Sequence, residues 1–300
     1  MLTELHQIVT KDKILLEGLF FKPKRKSRTA ALWVSGLDGR FSGSPGRTLT
    51  LARIFNDKGI AFAIFDHRGQ GTINSLKRKV KKGKRSALGG TAFERFEHCV
   101  YDINAVVKFL RKRGYKKIFL LGHSTGSNKV AYHAWKTRGR GISGLVLLGP
   151  VSDIAAMKRK DELGKKYKPA VRWAEAMVKK GKRKSLLPHS LVGNAFWAAE
   201  RFLSITKEGG REDAFPYYNP RRKFYWTKNL RVPVLVLIGG KEQYADRPVA
   251  EIMEAFKKQV PARLFTGKIV GGANHGFRGK EKELAQTIAG WISAPAEYGK

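Results

Sequence analysis

Five short apolar runs constrain the fold of this chain more than any other feature. They are Ala30-Ala31-Leu32-Trp33-Val34, Ile60-Ala61-Phe62-Ala63-Ile64-Phe65, Ile118-Phe119-Leu120-Leu121, Leu145-Val146-Leu147-Leu148 and Val234-Leu235-Val236-Leu237-Ile238. A strand apolar at every position has both faces covered, as in a parallel sheet between helix layers. Helical periods lie between the runs. Phe96, Val100, Ile103, Val107 and Leu110 form one stripe, with Gly114 just past its end. Val249, Ile252, Met253 and Phe256 form a second, and Leu284, Ile288, Trp291 and Ile292 a third. Core packing accounts for all three stripes. The β–α alternation predicts an open, mostly parallel, doubly wound sheet. The first 22 residues read as an antiparallel hairpin (Gln7 to Val9, Ile14 to Phe21) added at the sheet edge.

The rhythm breaks between Pro150 and Val232, where no strand is expected and helical patches such as Val171, Ala174, Met177 and Val178 appear. The sequence therefore divides into an α/β core, 1–150 and 232–300, and a helical cap insertion, 151–231. The insertion is rich in aromatics: Trp173, Phe196, Trp197, Phe202, Phe215, Tyr217, Tyr218, Phe224, Tyr225 and Trp226. Two readings stand side by side: these rings bind an acyl or aryl group of a substrate, or they form the packing of the insertion itself.

Sixty Lys and Arg against 24 Asp and Glu give a formal charge of +36. With 42% hydrophobic residues the chain has matter for a real core, which excludes a disordered polycation. The charge comes in bursts, at Lys22 to Arg28, Lys77 to Arg85, Lys158 to Lys168, Lys179 to Lys184 and Arg221 to Lys223, read as loops or solvated helix faces. The Lys77–Arg85 run, beside Gly83, Gly89 and Gly90, predicts a mobile loop. No zinc-finger spacing or aromatic RNA-binding signature accompanies the charge, so no specific nucleic-acid partner is expected. The single cysteine, Cys99, excludes an internal disulfide and a Cys-based zinc cluster. No window reaches the ~18 apolar residues of a spanning helix, and the start lacks a basic region followed by an apolar stretch. A cytoplasmic, soluble protein is the expectation; nothing in the sequence sets its oligomeric state.

Function is legible at one turn. The run Ile118–Leu121 enters Gly122-His123-Ser124-Thr125-Gly126, and a helix follows through Val130, Ala131 and Ala134. A strand–turn–helix around Gly-x-Ser-x-Gly holds the serine in a strained conformation that lifts its hydroxyl above the sheet. The Thr125 N–H then points to where an oxyanion forms. A second such donor belongs after the strand Ala30–Val34, in Ser35-Gly36-Leu37-Asp38-Gly39, where Leu37 N–H is the candidate.

A serine hydroxyl needs a base to take its proton. Among seven histidines, His275 stands in Gly271-Gly272-Ala273-Asn274-His275-Gly276, a glycine-rich loop between a late strand (about Leu264 to Ile269) and the final helix. Such a loop carries an imidazole back over the sheet. His98 and His133 fall in helical patterns, and His123 sits on the far side of the turn. The base needs an acid to hold its tautomer. Glu242 follows the strand Val234–Ile238, on the carboxyl edge where such sheets gather functional groups. Asp246, a candidate helix cap, and Asp153, after the strand ending near Leu148, are the alternatives.

At these residues the chain resembles the α/β-hydrolases over nearly its whole length. The order Ser, acid, His is that family's order. The resemblance implies an α/β-hydrolase fold, with Ser124, Glu242 and His275 as catalytic triad and Leu37 and Thr125 as backbone oxyanion donors. It implies a small-molecule ester or related acyl substrate, and neither metal nor organic cofactor. Phe65-Asp66-His67-Arg68-Gly69-Gln70-Gly71 is similar to a family turn that supports the loop near the active site. The segments around Ser124, Gly149–Asp153 and Gly240–Tyr244 resemble a branch that includes hydrolases proposed to open siderophore esters. Ser35 stands where many relatives carry His, and Glu242 where Asp is commoner. The contrasting reading is a non-catalytic binder of RNA or an acidic membrane surface, using the fold as scaffold and the charge as its purpose.

Overall fold

The computed structural model describes residues 1–158 and 162–294. The apolar runs become strands β3 (Thr29–Val34), β4 (Ile60–Phe65), β7 (Lys117–His123), β8 (Gly144–Leu148) and β9 (Val234–Lys241). They join β1 (Leu2–Val9), β2 (Leu15–Lys22) and β10 (Phe265–Asn274) in one sheet of order β1-β2-β4-β3-β7-β8-β9-β10. β1 and β2 pair antiparallel and lie at the edge, and β2 meets β4 antiparallel; the remaining neighbours are parallel. The expected mostly parallel, doubly wound α/β sheet is thus the observed one.

Both faces are covered, which is why the central strands tolerate no polar alternation. On one face α2 (Cys99–Lys112), α3 (Thr125–Thr137) and α8 (Val249–Gln259) bury Ile103, Leu110, Val130, Ile252 and Phe256 against the strands. On the other, α1 (Pro45–Asp57) and α9 (Glu281–Ser293) bury Leu51, Phe55, Leu284 and Ile288. Cys99 opens α2, buried.

The Lys77–Arg85 run departs from the mobile loop expected of it. It lies in a two-stranded hairpin, β5 (Asn74–Lys79) and β6 (Lys84–Gly89), paired in continuous antiparallel register. Its cations point mostly to solvent while Leu76 is buried, so the backbone ladder rather than apolar alternation defines it. Part of the Lys158–Lys168 burst, 159–161, lies outside the described residues.

Between β8 and β9 the described chain forms helices α4 (Asp153–Met157), α5 (Glu162–Lys179), α6 (His189–Val192) and α7 (Ala199–Thr206), followed by irregular chain to Val232. Its rings divide. Trp197 and Phe202 pack with Ala170, Ala174, Leu187 and Val192 in a separate cluster. Phe215, Tyr217, Phe224 and Trp226 instead join the main core beside Phe256, and Trp226 Nε1 donates to the Ala214 carbonyl at 3.0 Å. Packing, the second of the two readings, is where these six rings are used, while Phe196 is exposed.

Candidate active site

Ser124 sits in the one-residue hinge between β7 and α3, at φ 57° and ψ −131°. A left-handed φ on a residue with a side chain is strained, and the neighbours hold it there. The Ser124 N–H donates to the Leu148 carbonyl at 2.9 Å, and the Ser124 carbonyl accepts from Ser127 N–H at 2.8 Å. Ser127 Oγ in turn donates to the Gly122 carbonyl at 2.8 Å. Gly126 must be glycine, because a Cβ there would run into the Val34 carbonyl of the adjacent strand. The half-buried Ser124 lines a cavity of about 600 Å³ together with Leu37, Val151, Asp153, Tyr244 and His275.

His275 arrives from the loop after β10, beside the end of β9, because those strands are neighbours in the sheet. Its Nδ1 lies 2.7 Å from Glu242 Oε2, and both side chains are buried. Glu242 Oε1 accepts the Tyr244 N–H at 3.1 Å. A carboxylate that accepts from Nδ1 holds that proton there and leaves the Nε2 lone pair for the cavity. Three further contacts place the imidazole. His123 Nε2 donates to the His275 carbonyl at 2.9 Å, Gln243 Oε1 accepts the His275 N–H at 3.0 Å, and the Tyr244 ring stands edge-on at 4.8 Å. Burial, with the cation of Arg47 and His275 close by, lowers the His123 pKa to about 3, so it is a neutral strut.

The other acid candidates do not pair with His275. Asp246 Oδ2 is engaged by its neighbour Arg247, at 2.9 and 3.0 Å. It does not cap α8, whose N-cap is Pro248. Asp153 opens α4 and lines the cavity without touching His275. Burial, with the Glu212 carboxylate nearby, raises its pKa to about 7. Among the described residues, no protein acceptor takes the N–H of Leu37 or of Thr125. The Leu37 side chain packs into the Trp197–Phe202 cluster, which ties the loop after β3 to the inserted helices. His133 is buried on α3 and bonded to Asn104, and His98 lies beside Arg68.

Behind the site, the Asp66–Gly71 turn braces the loop that carries Leu37. Asp66 accepts Phe41 N–H at 2.8 Å, and Thr91 Oγ1 accepts Asp38 N–H at 2.8 Å while donating to Gly69 O at 2.9 Å. Arg68 is clamped by Asp102 and Asp12. Deeper still, Lys129 on α3 lies 2.8 Å from Glu94 and 3.1 Å from His67 Nδ1, with no exposure of the Lys129 and Glu94 side chains. Sequence reading missed Gln243, His123 and the Lys129–Glu94 pair. The only signal for the first two was adjacency to Glu242 and Ser124. Among the described residues no group of three or more His, Cys, Asp or Glu is placed to hold a metal ion, and no helix is long and apolar enough to cross a membrane.

Residues 79–292 match a protein family described as "Protein of unknown function (DUF1749)". No curated protein matches the sequence. Among solved structures, the chain is similar to the siderophore hydrolase EstB from Aspergillus fumigatus, with a TM-score of 0.67, 17% identity and 98% of each chain covered. It is similar to a thermostable carboxyl esterase from Bacillus coagulans, with a TM-score of 0.67, 15% identity, and 97% of this chain and 98% of that one covered. It is also similar to Est1E from Butyrivibrio proteoclasticus with ferulic acid bound, with a TM-score of 0.64, 16% identity, and 96% and 98% covered.

Proposed function

Because the chain belongs to the DUF1749 family and to the α/β-hydrolase superfamily, we propose that it is a serine hydrolase that cleaves a carboxylic ester or related acyl bond. The observation that carries this reading is a strained Ser124 sharing one cavity wall with an imidazole whose far nitrogen is held by a buried carboxylate. That the similar structures include a carboxyl esterase and a siderophore hydrolase agrees with it.

In this mechanism His275 Nε2 takes the Ser124 proton as Oγ attacks the acyl carbon. The Leu37 and Thr125 N–H groups receive the negative charge on the carbonyl oxygen, and Glu242 stabilises the imidazolium. The intermediate collapses, His275 passes its proton to the departing alcohol, and an acyl-enzyme remains on Ser124. Water then enters, gives a proton to His275 and displaces the acyl group as a carboxylic acid, restoring the serine. Residues 151–231 act as a cap in this reading, since Val151, Asp153 and Ala156 form part of the cavity wall.

The test is fluorophosphonate labelling with mapping of the modified residue, together with Ser124→Ala assayed on short p-nitrophenyl esters. Labelling at Ser124, and loss of turnover in a variant with unchanged circular dichroism, is the expected result. Undiminished turnover in that variant overturns the proposal. An inert chain that instead bound RNA or acidic vesicles with steep salt dependence would point to the non-catalytic scaffold.

A further inference from the structure

Arg47 is a cation of the cavity that, among the described residues, meets no protein acceptor. It stands in the first turn of α1 and lines the same cavity as Ser124 and His275. Its guanidinium lies 4.7 Å over the Trp33 ring, and that ring stacks on His123, the residue preceding the serine. A contact with a ring face takes up the charge of a guanidinium but none of its acceptor needs, so its N–H donors stay available. Among the described residues none of those donors meets an acceptor, and no carboxylate comes within ion-pair distance. The first turn of α1 holds no acidic residue, and Glu281 acts on Arg47 only at longer range.

The other charged groups of the cavity are differently placed. Arg40 folds over Gly71, within reach of the field at Asp66. Asp38 is exposed on its loop. Asp153 is raised toward neutrality by burial, and His123 is neutral. A half-buried arginine held over a ring, with its planar fork unpaired, suits a planar anion.

Resting on the hydrolase reading, we propose that Arg47 selects esters carrying a free carboxylate, which the guanidinium binds while the acyl carbon lies at Ser124. The preferred substrates are then monoesters of dicarboxylic acids or esters of similar charge and reach.

The experiment compares 4-nitrophenyl monoesters of straight-chain diacids, from adipate to sebacate, with counterparts whose terminal carboxylate is a primary carboxamide. The two members of each pair share shape and differ in charge. The wild type should favour the carboxylate by about 10- to 100-fold in kcat/KM at its best length, carried mainly by KM. Arg47→Met should collapse that ratio, and Arg47→Lys should keep only part of it, because a point charge lacks the fork. The ratio is internal to each enzyme, so a loss of folded protein does not move it. It also separates a local contact from the general field, since removing one of sixty cations changes the field little. If Arg47→Met does not fold, the wild-type ratio and the Arg47→Lys ratio decide. A wild-type ratio near one at every length, or a ratio that survives in Arg47→Met, overturns the proposal and leaves the hydrolase standing. Turnover of neither member, with no fluorophosphonate labelling, overturns both.

Discussion

Replacing Glu242 with Gln changes almost no volume and reverses one proton. Glu242 accepts at both oxygens, from the Tyr244 N–H at 3.1 Å and from His275 Nδ1 at 2.7 Å. Glutamine offers one oxygen and one NH2 group. The Tyr244 N–H is a backbone donor that cannot turn away, so the amide oxygen goes to it and the NH2 group faces His275. An NH2 donor is met at Nδ1 only by a lone pair, which moves the imidazole proton to Nε2. The ring then has nothing with which to accept the Ser124 proton. Restoring the useful tautomer means setting two donors against each other in a buried place, a cost of about 1–3 kcal/mol. The charge-assisted bond that would stabilise the imidazolium is lost as well, another ~1.5–3 kcal/mol. Together these raise the barrier by roughly 2.5–6 kcal/mol, a fall in kcat of about 10²- to 10⁴-fold. Steady-state kinetics on a short p-nitrophenyl ester measure it, with thermal unfolding as the control for folding. Glu242→Asp, which keeps the charge and shortens the reach, should lose less. A folded Glu242→Gln enzyme retaining more than about a tenth of wild-type kcat would refute the tautomer argument.

Three further outcomes follow from packing around the site. Lys129→Met leaves the Glu94 carboxylate buried without its 2.8 Å partner and should cost about 3–5 kcal/mol in urea unfolding at neutral pH, part of it recovered in Lys129→Met/Glu94→Gln. A loss below about 1 kcal/mol would show that His67 and Arg201 suffice to hold the charge. Burial alone would raise Glu94, but Lys129, with His67 and Arg201, holds it well below its usual 4.5. Its contribution to stability is therefore complete above that value and lost as the pH falls beneath it, a slope that Glu94→Gln should lack in acid titrations followed by circular dichroism. Gly36→Ala sets a Cβ 2.8 Å from Ser124 Cβ and 2.9 Å from the His123 carbonyl. The hinge must shift, so stability should drop by about 1–3 kcal/mol and fluorophosphonate labelling should slow far more than that drop explains. Labelling at the wild-type rate would show that the loop after β3 yields instead.

How much of this was legible depended on what kind of force holds each part. Central strands such as Val234–Ile238 announce themselves because two covered faces require an apolar residue at every position. The hairpin β5–β6 did not, because Leu76 is its one buried apolar anchor, with Ala87 half-buried, and the rest is backbone pairing under exposed cations. Helix α1 escaped the reading although Pro45 at its start and the Leu51, Ala52, Phe55 stripe marked it. The aromatics between Phe215 and Trp226 were visible as rings to be packed. That they pack on Phe256 rather than over the cavity depends on contacts across the chain, which no local pattern records.

The contrast between Glu242 and Arg47 turns on the same point. Glu242 could be singled out because acids are few and chain order plus the carboxyl edges of β8 and β9 left three to compare. Sheet neighbourhood favours Glu242 among them, since β10 lies against β9 and delivers His275 beside the loop that holds Glu242. Arg47 is one of sixty cations, and nothing in Ser44-Pro45-Gly46-Arg47 distinguishes it from the solvated bursts. Its difference is relational: Trp33 comes from β3 and His123 from β7, adjacent strands whose ring stack gives the guanidinium a floor next to the serine. In a chain this basic, a cation gains a functional reading by standing half-buried and unpaired on an aromatic floor in the cavity wall, and that property exists only once the fold is formed.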